Sequence, residues 1–105
     1  MKQKITFSFG KNWYKYVKQE YNEARYKEAE KSIKQFFKTN NFKGKTFIDV
    51  GCGTGIFSLV AYRMGAKEII SFDIDPYSVK STQYMKEKYG NNANNWKIEE
   101  FDLNG

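Results

Sequence analysis

The chain has 105 residues, of which 40% are hydrophobic, 18% aromatic and 29% charged, with a net charge of +6. That length allows at most one domain, and so many core-forming side chains exclude a disordered polypeptide. One cysteine excludes an internal disulfide, the lack of histidine removes the common zinc and haem ligands, and no apolar run nears the roughly 20 residues of a membrane span.

No signal-peptide apolar region follows Met1-Lys2-Gln3-Lys4-Ile5, so the expectation is a cytoplasmic protein with no membrane partner and no metal site. The charge is uneven, with 12 Lys/Arg against 4 Asp/Glu up to Lys45 and 6 against 8 beyond it. A basic arm of this kind suits nucleic acid or another anion, and it equally suits a solvated helix face; the second is favoured.

In chain order, Ile5-Thr6-Phe7-Ser8-Phe9-Gly10 alternates apolar and small polar residues, as a short strand or extended arm does. From about Asn12 the period becomes helical. Trp13, Tyr14, Val17 and Tyr21 share one face, and Ala29, Ile33, Phe36 and Phe37 repeat it, which predicts two helices or one bent one. Glu23 with Lys27 and Glu30 with Lys34 have the spacing and order of exposed ion pairs. Thr39-Asn40-Asn41 and Gly44 then close a helical cap and form the linker, dividing the chain into residues 1–44 and 45–105.

Lys45 to Val50 reads as a strand, and the continuity of Phe47, Ile48 and Val50 implies burial on both faces. Ile56, Leu59, Val60 and Met64 follow a helical period that ends at Gly65, and Glu68 to Asp73 forms a second strand. Asp75 before Pro76 is a helix start, the carboxylate capping free amides and the proline fitting the first turn. That helix runs from Tyr77 to Tyr89 and closes at Gly90. After an asparagine-rich loop, Trp96 to Phe101 alternates as a third strand before Asp102. The order strand, helix, strand, helix, strand predicts an α/β fold with a parallel sheet, its ligands gathering at the carboxyl ends of the strands. Asp49, Asp73 and Asp102 all stand at or just beyond such ends.

The central stretch is Asp49-Val50-Gly51-Cys52-Gly53-Thr54-Gly55. Three glycines at alternate positions let backbone pass close beneath a ligand, whereas an ordinary strand-to-helix turn needs one. Cys52 inside this turn is read as a small side chain, not a nucleophile. A dinucleotide fingerprint would place glycine at Ile56, and a phosphate loop would require a lysine that is absent. Asp49 would repel a pyrophosphate and welcome an ammonium. A carboxylate at Asp73 can accept from two vicinal ribose hydroxyls at once, a role shared by dehydrogenases, so the glycine spacing and Asp49 discriminate.

This segment resembles motif I of the class I S-adenosylmethionine-dependent methyltransferases, Asp/Glu-x-Gly-x-Gly-x-Gly. From Phe47 through Val79 it is especially similar to small-molecule and ribosomal-protein methyltransferases with a Gly-Cys-Gly-Thr-Gly loop and an Asp-Ile-Asp-Pro second strand end. The resemblance implies a partial Rossmann-like methyltransferase fold, with parallel strands ordered 3-2-1, preceded by an amino-terminal helical arm. It implies S-adenosyl-L-methionine as cofactor, with Asp49, Gly51, Cys52, Gly53 and Gly55 forming the loop around its methionine part. Asp73 would take the ribose, Ile74 would pack on adenine, and Asp102 would meet the adenine amino group. The stretch Phe7 to Trp13 is similar to an arm that folds over the cofactor in some of these enzymes; packing of the first helix accounts for it equally well.

The family's sheet has seven strands, and the sequence reaches only the third. No catalytic base and no methyl acceptor, small molecule or protein, is assigned by these residues. The first strand is expected to form a sheet edge, which favours self-association or a completing chain. The rival reading is a non-catalytic nucleotide-fold module whose basic arm docks RNA or a protein.

Overall fold

The computed structural model describes residues 21–101. The strand expected at Ile5–Gly10, the helical face from Trp13 to Val17 and the acid Asp102 lie outside the described residues.

Helix α1 (Glu23–Phe37) starts where the Asn22 side chain accepts from the Arg25 amide at 2.8 Å. An Asn at this position offers an oxygen to an amide that has no helical partner. Tyr26, Ala29 and Ile33, spaced by three and four, form its buried stripe. The Arg63 guanidinium sits 4.7 Å from the centre of the Tyr26 ring, and Tyr21 stacks on Tyr89 with centroids 4.2 Å apart. On the wet side, Lys34 and Glu30 pair at 3.3 Å as their spacing predicted. Phe36 departs from the expected inward face and is 79% exposed. It overhangs a cleft beside the first strand that no other described element fills, whereas Phe37 meets Phe42 and Phe47 edge to face.

Beyond α1 the chain alternates as expected: β1 (Thr46–Val50), α2 (Ile56–Arg63), β2 (Glu68–Asp73), α3 (Pro76–Tyr89) and β3 (Trp96–Glu100). The strands are parallel, with β2 between β1 and β3. Phe47, Ile69 and Trp96 lie side by side in one row, and Asp49, Ser71 and Ile98 in the next row on the same face. This face packs on α2 and α3. Leu59, Val60, Ile69, Met85 and Trp96 are fully or almost fully buried there, in one core with the α1 stripe. Phe42, in the expected linker, is also part of that core, and its amide donates to the Met64 carbonyl at 2.9 Å.

The expectation that β1 is buried on both faces is corrected. Ile48 is 56% exposed and Val50 79% exposed. Both crossovers step the same way, from β1 to β2 to β3, and right-handed crossovers stepping one way put their helices on one side of the sheet. Among the described residues nothing covers the opposite face, where Ile48 and Val50 point.

The start of α3 follows the local rule. Asp75 Oδ1 accepts from the Tyr77 amide at 3.1 Å, Asp75 Oδ2 accepts from the Ser78 hydroxyl at 3.0 Å, and Pro76 occupies the first turn. Asp75→Ala is therefore expected to lower stability by about 1 kcal/mol, read by thermal denaturation. At the other end, Gly90 is required for space: a Cβ there would approach the Trp96 ring to 2.7 Å. No helix among the described residues is long and apolar enough to cross a membrane.

Candidate functional site

The loop between β1 and α2 is shaped by hydrogen bonds to the neighbouring strand. The amides of Gly51 and Cys52 both donate to the Phe72 carbonyl, at 2.8 and 2.9 Å, and the Gly55 amide closes the turn on the Cys52 carbonyl at 2.9 Å. These bonds tie the glycine loop to the end of β2. There the Gly53 amide donates to Asp73 Oδ2 at 3.0 Å and the Asp75 amide to Asp73 Oδ1 at 2.9 Å. Each Asp73 oxygen is thus held by one backbone amide and keeps a further lone pair. The pair of residues proposed from a distance of twenty positions is brought into direct contact.

The three glycines differ in what surrounds them. A Cβ at Gly51 or Gly53 would meet nothing within 4 Å, so the space above these two positions is open. A Cβ at Gly55 would lie 2.9 Å from both the Cα and the hydroxyl oxygen of Thr82. Gly55 lets α3 approach the loop, a packing role beside the ligand-loop role expected of it.

Cys52 also points inward. Its Sγ lies 3.1 Å from the Thr82 hydroxyl, which is 3.2 Å from the Gly53 carbonyl; the single hydroxyl proton serves one of them at a time. Burial pushes the Cys52 thiol up to about 11, against the pull of the Thr82 contact. A thiol so placed is not a nucleophile at neutral pH.

Asp49 faces the helix layer. Its Oδ2 accepts from the Ser58 hydroxyl at 2.7 Å, and Ser58 lies in the first turn of α2. The positive end of a helix favours an anion at this place. Burial nevertheless pushes the carboxyl above its ordinary 3.8, with the Ser58 hydroxyl opposing and the Asp73 charge adding to the rise. The folded chain therefore binds this proton more tightly than the unfolded one. Asp49's contribution to stability is fully present below 3.8 and is lost as pH rises through the raised value. Asp49→Asn is expected to raise the melting temperature at pH 7 by a few degrees, up to ~5 °C, and to flatten the pH profile in that window. A loss of several degrees would mean that the ionised contact is net stabilising.

Two open clefts flank the loop. One, of about 360 Å3, is lined by Val50, Gly51, Phe72, Asp73, Ile74 and Phe101. The other, of about 370 Å3, lies between α1 and β1 and is lined by Ser32, Ile33, Phe36, Phe47, Asp49 and Phe57. Ile74, expected at the site, is exposed at the rim of the first cleft, beside the Asp73 carboxylate. Phe101 also lines the first cleft, a place the sequence reading does not give it. Its amide donates to the Asp73 carbonyl at 2.7 Å, which carries its ring to the cleft. No group of three or more potential metal ligands occurs among the described residues.

Parallel strands in this order, a glycine loop preceded by an acid, and a second acid gripped by that loop define the methyltransferase class of Rossmann-like α/β proteins. A family model for ribosomal protein L11 methyltransferase (PrmA) matches residues 30–102, and the chain belongs to this family. Ribosomal protein L11 methyltransferase of Tolumonas auensis is 36% identical over 56 residues, covering 53% of this chain and 19% of that protein. The Mannheimia succiniciproducens protein of the same name is 47% identical over 47 residues, covering 45% of this chain and 16% of its own. The chain thus spans about a fifth of the length of these relatives.

Solved structures agree. Ribosomal protein L11 methylase from Lactobacillus delbrueckii subsp. bulgaricus matches with a TM-score of 0.51 at 28% identity, over 58% of this chain and 31% of that one. The Trypanosoma brucei PRMT1 enzyme-prozyme complex with AdoHcy matches with a TM-score of 0.55 at 28% identity, over 72% of this chain and 21% of that one.

Proposed function

We propose that residues 45–105 are the S-adenosyl-L-methionine-binding half of a protein methyltransferase and that residues 1–44 form its arm and helical cap. The observation that carries this reading is the Asp73 carboxylate, fixed by two backbone amides beneath a glycine loop whose outer surface is open. The residues fit the cofactor. Two pinned oxygens with free lone pairs suit two vicinal hydroxyls, and the apolar cleft between Ile74 and Phe101 suits a flat base. The space above Gly51 and Gly53 admits the chain of atoms between ribose and amino acid. Asp49, in the second cleft, supplies the negative charge for the ammonium end.

When bound, the cofactor supplies a sulfonium-activated methyl group. The described residues hold and orient it, which is the larger part of what a transfer between aligned groups requires. The relatives named for ribosomal protein L11 support a ribosomal protein as the methyl acceptor. The β1 edge, which no other described strand pairs, and the exposed Ile48 and Val50 suit a further segment of the same fold or a second chain.

Calorimetric titration with S-adenosylhomocysteine tests the cofactor reading. Saturable binding with one site per chain is expected, and NADH is expected not to compete. A folded chain that takes NADH and ignores S-adenosylhomocysteine would overturn it.

A further inference from the structure

A line of buried polar groups crosses the sheet from β3 to β1. Trp96 Nε1 donates to Ser71 Oγ at 2.9 Å, the Ser71 and Ser58 hydroxyls are 2.6 Å apart, and Ser58 Oγ donates to Asp49 Oδ2 at 2.7 Å. Trp96, Ser71 and Ser58 are all fully buried. A valine or alanine at 58 or 71 would fill this interior without burying a hydroxyl, so the two serines carry a cost that packing does not explain.

The chemistry of the ends fixes the direction of the line. An indole N–H only donates, and an ionised carboxylate only accepts. Ser58 has one proton and gives it to Asp49, so Ser71 must donate to Ser58 and accept from Trp96. Every dipole then points its positive end toward Asp49. Successive hydrogen bonds of this kind polarise one another, so the far end strengthens the near one. The carboxylate has about four acceptor positions, and the Ser58 hydroxyl uses one of them. The remainder are available toward the cleft lined by Phe36, Phe47 and Phe57.

We infer that Ser58, Ser71 and Trp96 form a one-way hydrogen-bond relay that positions the Asp49 carboxylate for the cationic, amino-acid end of the bound cofactor. The cofactor half of this inference rests on the methyltransferase reading above; the relay itself does not. The titratable group whose charge reaches Asp49 is Asp73 at the end of β2; Cys52, in the loop, feels the Asp49 charge and stays a neutral thiol. α2 contributes Ser58, and α1 brings only Ser32, Ile33 and Phe36 to the shared cleft.

The relay makes Trp96 a reporter of Asp49. In the 15N-labelled chain there are two indole N–H resonances, and Trp13→Phe identifies that of Trp96. The Trp96 resonance is expected to shift with pH at the midpoint of the Asp49 carboxyl, followed by its own 13C signal. Asp49→Asn and Ser71→Ala should each abolish the shift, and Asp73→Asn should keep it with its midpoint moved down, since the Asp73 charge raises the Asp49 carboxyl. A Trp96 resonance indifferent to Asp49 ionisation, or one that still responds in folded Ser71→Ala, overturns the relay without requiring any ligand.

Positioning is read separately, with S-adenosylhomocysteine against 5′-methylthioadenosine, which keeps the adenosine and sulfur but lacks the amino-acid end. Ser58→Ala should weaken the first about tenfold and leave the second unchanged. Equal weakening of both would assign Ser58 a merely structural role and overturn the positioning claim. Wild-type chain that binds neither ligand overturns the methyltransferase reading, while the indole titration still decides the relay.

Discussion

Asp73→Ala is expected to weaken S-adenosylhomocysteine binding by on the order of a hundredfold or more. The estimate follows from two charge-assisted hydrogen bonds to the ribose, each contributing about 1.5 kcal/mol or more, with tenfold in affinity for every 1.4 kcal/mol. The same substitution removes the acceptors for the Gly53 and Asp75 amides, at 3.0 and 2.9 Å. Part of the loss is therefore loosening of the loop and not a missing ligand contact. Asp73→Asn separates the two effects. The amide keeps one acceptor oxygen and cannot receive from both hydroxyls while holding both backbone donors. Calorimetric titration of both variants should rank wild type above Asn and Asn above Ala. Wild-type affinity in folded Asp73→Ala would remove the ribose role altogether.

The second large effect is on stability. Gly55→Ala is expected to destabilise the chain by about 3 kcal/mol, from ~1–2 kcal/mol for a side chain at positive φ and a similar amount for overpacking. Gly55 has φ +90 and faces Thr82, whose Cα and hydroxyl would lie 2.9 Å from the new Cβ. Thr82 is fully buried on α3 and cannot turn away freely. Gly65 provides the matched control. Its φ is +85 and a Cβ there meets nothing within 4 Å. Gly65→Ala should therefore cost only the backbone term, ~1–2 kcal/mol. Denaturant unfolding of the two variants isolates the collision as their difference; equal losses would show that Thr82 gives way and that the third glycine serves conformation alone.

The contacts behind these predictions explain why the motif was legible while its division of labour was not. Alternate glycines after an acid are a local pattern, and local pattern carried the loop, the alternation of elements and the cap at Asp75. The roles within the loop depend on which side each Cα presents to α3, and that is set thirty residues away. Gly51, Gly53 and Gly55 look alike in sequence; only the packing of Thr82 sets the third apart. Phe101 was read as a strand residue, and its place at the cleft required the parallel register that ties its amide to the Asp73 carbonyl. Ser58 and Ser71 carried a faint signal at most: Ser58 follows the last glycine by three residues, and Ser71 shares a strand face with Asp73. β1 misled for a related reason. Its apolar continuity specifies two faces that want cover, but which face receives α2 and α3 follows from the handedness of the crossovers.

What the sequence determined by itself was therefore the set of short-range commitments: a glycine loop between a strand and a helix, acids at the strand ends, a capped third helix, and the resemblance to methyltransferases carried by residues 47–79. These rest on backbone conformation and on spacing within a few residues, where physical preference acts without knowledge of the fold. Only the tertiary structure decided that Asp73 is clamped by Gly53, that the Cys52 side chain turns inward to Thr82, and that Asp49 terminates a line of donors reaching from Trp96. Those are contacts between segments nine to thirty residues apart, and burial makes each of them consequential. A hydrogen bond or a methyl-sized gap counts most where water cannot substitute for the missing partner.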